Sequence, residues 1–442
     1  MSGVDSTLAF IDQASFLGLR ALGRGPLIQF TWIYRRAVDV DGLERFRENL
    51  GRGLLGRRIE RSALPFGRHR WIAWPGPDGI DIAEHSRTLD QVAQWTDEQA
   101  AIPIDPEYGP SWRLAVLPLV DGGAAVTLIL SHTVADAVGA AIAVGDAVNG
   151  TAADLGYPPA HARTTGKAIV EDSRAIARCV PDIGRAVVAA ARIARSGDLV
   201  KPSPPKKVPS GRGGSRSVTL PSVTAQVDLS HWDDCAKSLG GTSNSLLLGF
   251  VARLSRRLGW APADGPVTLS MPVNERTPND TRGNAITTVT VTVDPAGVTT
   301  DLRPLREQVK KLLSSLDQTR DGLLAPLPLV PLTPKSVARK LEQTVIRSGV
   351  VGSSNLGELD PVVNRPDGSD ADLFAVRTFE HLTLADLQRS GGAFLPVLSG
   401  RVRGKLFLSV GHANRDGSTV RADILDAVRR TLDEFELSAL LY

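Results

Sequence analysis

The chain has 442 residues, 42% hydrophobic and 22% charged, with a formal net charge of +3. That length is too great for one ordinary core and predicts two domains, and the composition is that of a globular protein, not a disordered one. So slight a charge, with no series of base-stacking aromatics, argues against nucleic acid as a partner. The two cysteines, Cys179 and Cys235, have neither metal-ligand spacing nor the pattern of a disulfide framework, which suits a reducing compartment. The first residues carry no basic segment followed by an apolar core, and nowhere do some 18 uncharged apolar residues run together. The expectation is a cytoplasmic protein without signal peptide or membrane span.

In chain order, residues 27–38 read as a strand with Phe30, Trp32 and Tyr34 on one face. Leu43, Phe46, Leu50 and Leu54 then recur at helical spacing. Residues 65–77, rich in Pro, Gly and Trp, read as irregular connection, and 88–100 as a helix. The apolar runs 112–120 and 124–130 flank Asp121-Gly122-Gly123, a hairpin signal, because glycine tolerates the positive φ of tight turns. Residues 167–195 are helical in pattern, interrupted at Pro181. Their later half mixes Val187, Val188 and Ile193 with Arg185, Arg192 and Arg195, which suits either a surface helix or peripheral contact with a membrane. Residues 201–217, with many prolines, glycines and basic residues and no apolar periodicity, read as an interdomain linker between lobes at 1–200 and 218–442.

The second half repeats this grammar. Strands are predicted at 218–229, 267–273, 285–293, 373–379, 394–398 and 405–410, helices at 243–258, 301–316 and 420–435, and a proline-rich loop at 324–334. Mixed strands and helices in both halves indicate two α/β sandwich-type domains, an α+β arrangement, and not a regular doubly wound series.

The chemistry concentrates where the buried run 124–130 ends at Ser131-His132, with Asp136 one turn on. Histidine titrates near neutrality and can take a proton from an alcohol or amine. A hydroxyl activated in this way attacks a thioester carbonyl directly, and the chain has no G-x-S-x-G elbow or reactive-cysteine signature to offer a protein nucleophile. Asp136 is placed either to bond His132 or to pair with an arginine and hold the turn. The second role is favoured, because strand end and helix start point the two side chains differently. His412 also ends an apolar strand, facing a cleft or satisfied at an edge. His69, His85, His161, His231 and His381 lie in polar contexts and read as surface. No HExxH or CxxC cluster supports a metal, and no glycine-rich phosphate motif supports a nucleotide.

Ser131-His132-Thr-Val-Ala-Asp136-Ala-Val-Gly139 resembles the HHxxxDG motif of the acyltransferases that include chloramphenicol acetyltransferase, nonribosomal peptide synthetase condensation domains, and the wax ester synthase/diacylglycerol acyltransferase family, to which it is most similar. Ile104-Asp105 to Trp112 is similar to that family's lead-in, and Asp5 to Phe16 to its "PLDAAFL" stretch. Gly241-Thr-Ser-Asn244-Ser-Leu-Leu-Leu is similar to its "NDVVLA" helix, and Pro272-Val-Asn-Glu-Arg276 with Gly283-Asn284 to its "PVSLR…GN". Ser354-Asn355-Leu-Gly357 is similar to its "SN-P-G" loop.

The resemblance implies two chloramphenicol acetyltransferase-like lobes with a channel between them. It implies His132 as general base and Asp136 as structural brace, with Arg276 its partner across the lobes. Asn244, Ser354 and Asn355 are implied as orienting or oxyanion groups, the alternative for Asn and Ser being caps and turns. The co-substrate would be an acyl-CoA or acyl-carrier-protein thioester, with no bound cofactor or metal, and the acceptor an alcohol. The alternatives are a condensation-type, amide-forming enzyme or a catalytically degenerate binding protein. Ser131 stands for the motif's first histidine, Ala137 for its glycine and Ser245 for the "ND" aspartate. Ala137 is expected to crowd the turn beside the base.

Overall fold

A computed structural model describes residues 5–196, 217–218, 220–260, 265–337, 351–389, 394–414 and 416–442. The first half of the chain runs α1 (Phe10–Leu22), β1 (Pro26–Tyr34), α2 (Val40–Leu50), β2 (Arg57–Glu60), β3 (Arg70–Ala73), β4 (Asp81–Ile82), α3 (Val92–Ala100), β5 (Trp112–Pro118), β6 (Ala124–Ser131), α4 (Ala137–Asn149) and α5 (Thr165–Ser196). The second runs β7 (Ser217–Val218), β8 (Ser222–Asp228), α6 (Leu229–Ser238), α7 (Ser243–Arg257), β9 (Val267–Asn274), β10 (Ile286–Val293), α8 (Arg303–Leu324), β11 (Val351–Glu358), β12 (Leu373–Glu380), β13 (Leu382–Thr383), α9 (Leu384–Arg389), β14 (Pro396–Val402), β15 (Lys405–Gly411), α10 (Arg421–Asp433) and β16 (Ala439–Leu441). The linker predicted at 201–217 lies, except for Ser217, outside the described residues.

The period-2 pattern of β1 does what alternation dictates. Ile28, Phe30, Trp32 and Tyr34 are buried in the first core with Leu43, Phe46 and Leu50 of α2, leaving Gln29, Thr31 and Ile33 on the opposite face. Strand β6 is buried along its whole length, as an unbroken apolar run requires, and forms the predicted hairpin with β5. The first sheet has the order β12-β1-β6-β5-β4, the second β10-β9-β11-β14-β15-β8-β16.

The outer strand of the first sheet comes from the second half. Strand β12 pairs antiparallel with β1, from Pro26↔Glu380 to Ile33↔Leu373. Without it β1 would be a long exposed edge with unpaired amides, so this strand closes an edge and ties the lobes together. Phe374 meets Phe30, Trp32 and Phe407 at ring separations of 6.2, 5.8 and 5.5 Å, carrying the first core toward β15. In the second lobe α7 and α10 cover one face of the sheet, burying Leu246, Phe250 and Leu254 against Ile424, Val428 and Leu432.

Four local expectations are corrected. Residues 65–77 contain β3, which pairs with β2 and buries Trp71 and Ile72. Helix α5 runs on through Pro181, which is exposed on its surface. Residues Leu327–Leu332 of the proline-rich loop form a 3-10 turn. Ser354 and Asn355 lie on β11 and not in a loop, since the segment is paired with β14. Helices α1 and α6 carried no periodicity strong enough to be singled out.

Candidate active site

His132 follows the last residue of β6, its backbone N–H donating to the Pro26 carbonyl of β1 at 3.1 Å. Asp136 caps α4. Its Oδ1 accepts from Gly139 N at 2.7 Å, the usual service of an aspartate at a helix N-terminus. Its Oδ2 accepts from Ala285 N and from Arg276 Nη2, both at 2.8 Å. Both oxygens are thus engaged away from His132. Asp136 and Arg276 are each only 3% exposed in their side chains.

Arg276 organises a loop of the second lobe over this turn. Its Nη1 donates to the carbonyls of Asp280 and Arg282, and its Nη2 also to that of Gly283. Asp136 N returns a bond to Gly283 O at 2.8 Å. Gly283 approaches so closely that a Cβ there would stand 2.9 Å from Thr133 O and 3.0 Å from Asp12 Oδ1. A larger residue would lift the loop off the site.

That loop delivers Asn284, whose Oδ1 lies 2.9 Å from His132 Nδ1. The amide orientation follows from its other end, where Nδ2 donates to Asp12 Oδ1 at 3.2 Å. An amide oxygen only accepts, so His132 Nδ1 carries a proton, and in the neutral ring Nε2 is the nitrogen with the lone pair. Asp12, fully buried, also accepts from the backbone N–H groups of Gly283 and Asn284 at 2.8 and 2.7 Å. Burial pushes its carboxyl above the usual carboxylate range, against the pull of Arg57 and these donors. A line of contacts therefore runs Asp12, Asn284, His132, across α1, the second lobe and the end of β6.

Arg57, also fully buried, supports the turn from beneath. It donates to Val134 O at 2.7 Å and Thr281 O at 2.6 Å, with its guanidinium 3.9 Å from the Trp71 ring centre. The sequence alone gives no role to Asp12, Arg57 or Asn284. Asp12 and Asn284 lay within stretches carrying the resemblance, the one signal that pointed to them.

The other predicted residues gather elsewhere. Asn355 Nδ2 donates to Asn244 Oδ1 at 3.2 Å, and Asn355 Oδ1 accepts from Gly357 N at 2.9 Å, where β11 slips register against β14. Asn244 does not cap α7; Thr242 does, with Ser245 completing the reciprocal pair. That gives Ser245 a structural part. Ser354 is half-buried on β11, opposite Leu398. No hydrogen bond joins these three residues to His132 among the described residues.

Ser131 accepts from Thr133 N at 3.3 Å, closing the turn before the helix. Ala137 is the buried first residue of α4 and has no positive φ. The close approach is at Gly139, where a Cβ would stand 2.8 Å from Arg276 Nη2. His69, expected at the surface, packs its ring edge-on to Phe16 at 5.1 Å, and burial lowers its pKa to about 4. His412 is buried, with Nε2 3.0 Å from Asn414 Oδ1, beside a cleft containing Arg257 and Asp423. A cavity of about 600 Å³ is lined from both lobes, but His132 is not among its walls.

No protein-family model matches the chain, and no curated protein matches it in sequence. Solved structures do resemble it. The first condensation domain of the CDA synthetase superposes with a TM-score of 0.57 at 17% identity, over 100% of both chains. The chain has the two-lobed condensation-domain fold. The wax ester synthase/diacylglycerol acyltransferase from Marinobacter aquaeolei VT8 gives a TM-score of 0.57 at 13% identity, over 98% of this chain and 99% of that one. Polyketide synthase associated protein 5 from Mycobacterium tuberculosis gives 0.51 at 15%, over 97% and 98%. At these identities the likeness is one of fold, on which unrelated chemistries can be mounted. Among the described residues no helix is long and apolar enough to cross a membrane.

Proposed function

We propose that the protein transfers an acyl group from a thioester, carried by coenzyme A or a carrier protein, to the hydroxyl of an acceptor. The observation carrying this reading is the bond from His132 Nδ1 to Asn284 Oδ1, which leaves Nε2 free as a base at the end of a rigid strand. In the proposed reaction Nε2 takes the acceptor's proton as its oxygen attacks the thioester carbonyl. The tetrahedral intermediate collapses with cleavage of the C–S bond, and the imidazolium returns the proton to the departing thiolate, giving ester and thiol. Asp136 and Arg276 hold the turn and the loop that delivers Asn284, and act on the reaction only through position. Asn244, Ser354 and Asn355 are proposed to orient substrate from the second lobe.

An amine acceptor, giving an amide, is the second reading, favoured by the equal fold likeness to a condensation domain and to a wax ester synthase. Exposed Val180, Val187 and Val188 on α5, beside Arg185, suit peripheral contact with an anionic bilayer that would deliver an apolar substrate. The test is thiol release from an acyl-CoA series offered with alcohols and amines, with His132→Ala as control. Release that requires both an acceptor and His132 supports the reading, and the productive acceptor class decides between ester and amide. Equal rates with His132→Ala end the general-base role. A protein that binds acyl-CoA but never releases thiol is a binder and not an enzyme.

A further inference from the structure

The 600 Å³ cavity lies on the face of the first sheet opposite α2 and α4, beside Val92, Ala93 and Thr96 of α3. Its floor is Thr31 and Ile33 of β1 with Ala375 and Arg377 of β12, and its roof comes from the second lobe through Leu425 and Leu441. It follows β1 from Gln29 to Tyr34 and on to Arg35, six residue steps or about 20 Å. Its volume falls within the range of small-molecule sites.

The two ends differ in chemistry. Around Ile33, Leu119, Leu373, Leu440 and Leu441 the walls are apolar, opening past Asp90, Asp121 and Arg35 at the surface. At the other end Arg377 Nη1 and Arg421 Nη2 grip opposite oxygens of one carboxylate, Asp97, at 2.7 and 2.5 Å. Arg377 Nε donates to Gln29 Oε1 at 2.6 Å, and Gln29 is fully buried, its amide committed to Thr96 O and Thr127 Oγ1. Two guanidiniums thus share one carboxylate, their further donors going to neutral oxygens of Ser222 and Ala93, so the cluster keeps about one net positive charge beside an apolar space. Arg377 Nη2 takes no protein acceptor among the described residues. Desolvation, opposed by Asp97 and aided by nearby Arg421, makes Arg377 easier to deprotonate than an ordinary arginine. A bound anion would relieve that imbalance.

We propose that this cavity is a second ligand site, for a linear amphiphile with an anionic head of the long-chain carboxylate class. The head sits on Arg377 and Arg421, and the chain runs along β1 and β12 beneath β16. The site is distinct from that of the proposed reaction. Gln29 pairs with Ile129, three residues before His132, so the charged end and not the apolar end faces the catalytic turn. A thioester held at His132 would have to drive its chain through the arginine cluster to reach this space.

The test uses the full chain and the fluorescent fatty acid cis-parinarate, with palmitate and hexadecyltrimethylammonium as competitors. Saturable binding of one equivalent, displaced by palmitate and not by the cationic amphiphile, is expected. Arg421→Met, which leaves Asp97 and Arg377 balanced one to one, should weaken binding about tenfold. Thr31→Phe, projecting a ring from the floor midway along the cavity, should abolish it, with the fold checked by circular dichroism. His132→Ala should bind as wild type does, which separates this site from the proposed reaction. Absence of saturable binding, equal displacement by the cation, or unchanged affinity in Thr31→Phe would each overturn the proposal.

Discussion

Replacing Asn284 by alanine isolates the contact on which the proposed base depends. The substitution removes the acceptor 2.9 Å from His132 Nδ1 and the donor 3.2 Å from Asp12. One such bond contributes about 1 kcal/mol net, and its loss also frees the ring to rotate and to place its proton on Nε2, the atom that must accept one. A fall in kcat of about 10- to 100-fold, roughly 1.4–2.7 kcal/mol of barrier, is expected with little change in KM. The loss cannot exceed that of His132→Ala, because general-base catalysis itself supplies about 10²- to 10⁴-fold. Asn284→Asp would keep an acceptor for the histidine but set a second carboxylate against buried Asp12. At 3.2 Å the repulsion reaches about 5 kcal/mol at an effective dielectric of 20, so this variant should be unstable. Combining it with Asp12→Asn restores one charge and one donor, and a double-mutant cycle should show coupling above about 1.5 kcal/mol. Nitrogen-15 NMR of His132 reads the proton directly. A wild-type ring protonated on Nε2, or full kcat in Asn284→Ala, would refute the reasoning.

Arg276→Met breaks an ion pair buried on both sides and strands Asp136 beside two backbone donors, so urea unfolding should show a loss of about 3–5 kcal/mol. A loss under 1 kcal/mol would mean the pair does not hold the turn. His69 gives a pH signature. Its folded pKa near 4 lies below the ordinary 6.5, so its neutral form is favoured on folding. Its contribution is present above pH 6.5 and is lost as pH falls toward 4, by about 3 kcal/mol at most. Urea midpoints between pH 7 and 4.5 should therefore fall less steeply in His69→Gln than in wild type. Parallel slopes would contradict the burial of the ring.

The local features of the site were legible because local rules govern them. An apolar β-branched run ends at Ser131, aspartate prefers a helix N-cap, and Asp121-Gly122-Gly123 turns a hairpin, with Gly122 at φ 85°. Sequence spacing also directed Asp136 away from His132, and it does lie with both oxygens turned elsewhere. The resemblance placed Arg276 in the right company, though nothing in the sequence said which atoms it would hold.

What tertiary structure decided rests on distant partners. Asn284 is 152 residues from His132, and Asp12 is 272 from Asn284, so no periodicity connects them. The likeness of Ser354-Asn355-Leu-Gly357 to a loop gives no sign that Ser354 and Asn355 pair with β14, a partner more than 40 residues on. Strand β12 was recognisable as a strand, but its place beside β1 follows from an edge that had to be closed. The cavity over that same sheet is likewise a product of two lobes meeting, with Arg377 and Arg421 brought to one carboxylate of α3. Short-range preference determined where His132 stands. The folded packing of α1, β6 and the second lobe determined which of its nitrogens is free.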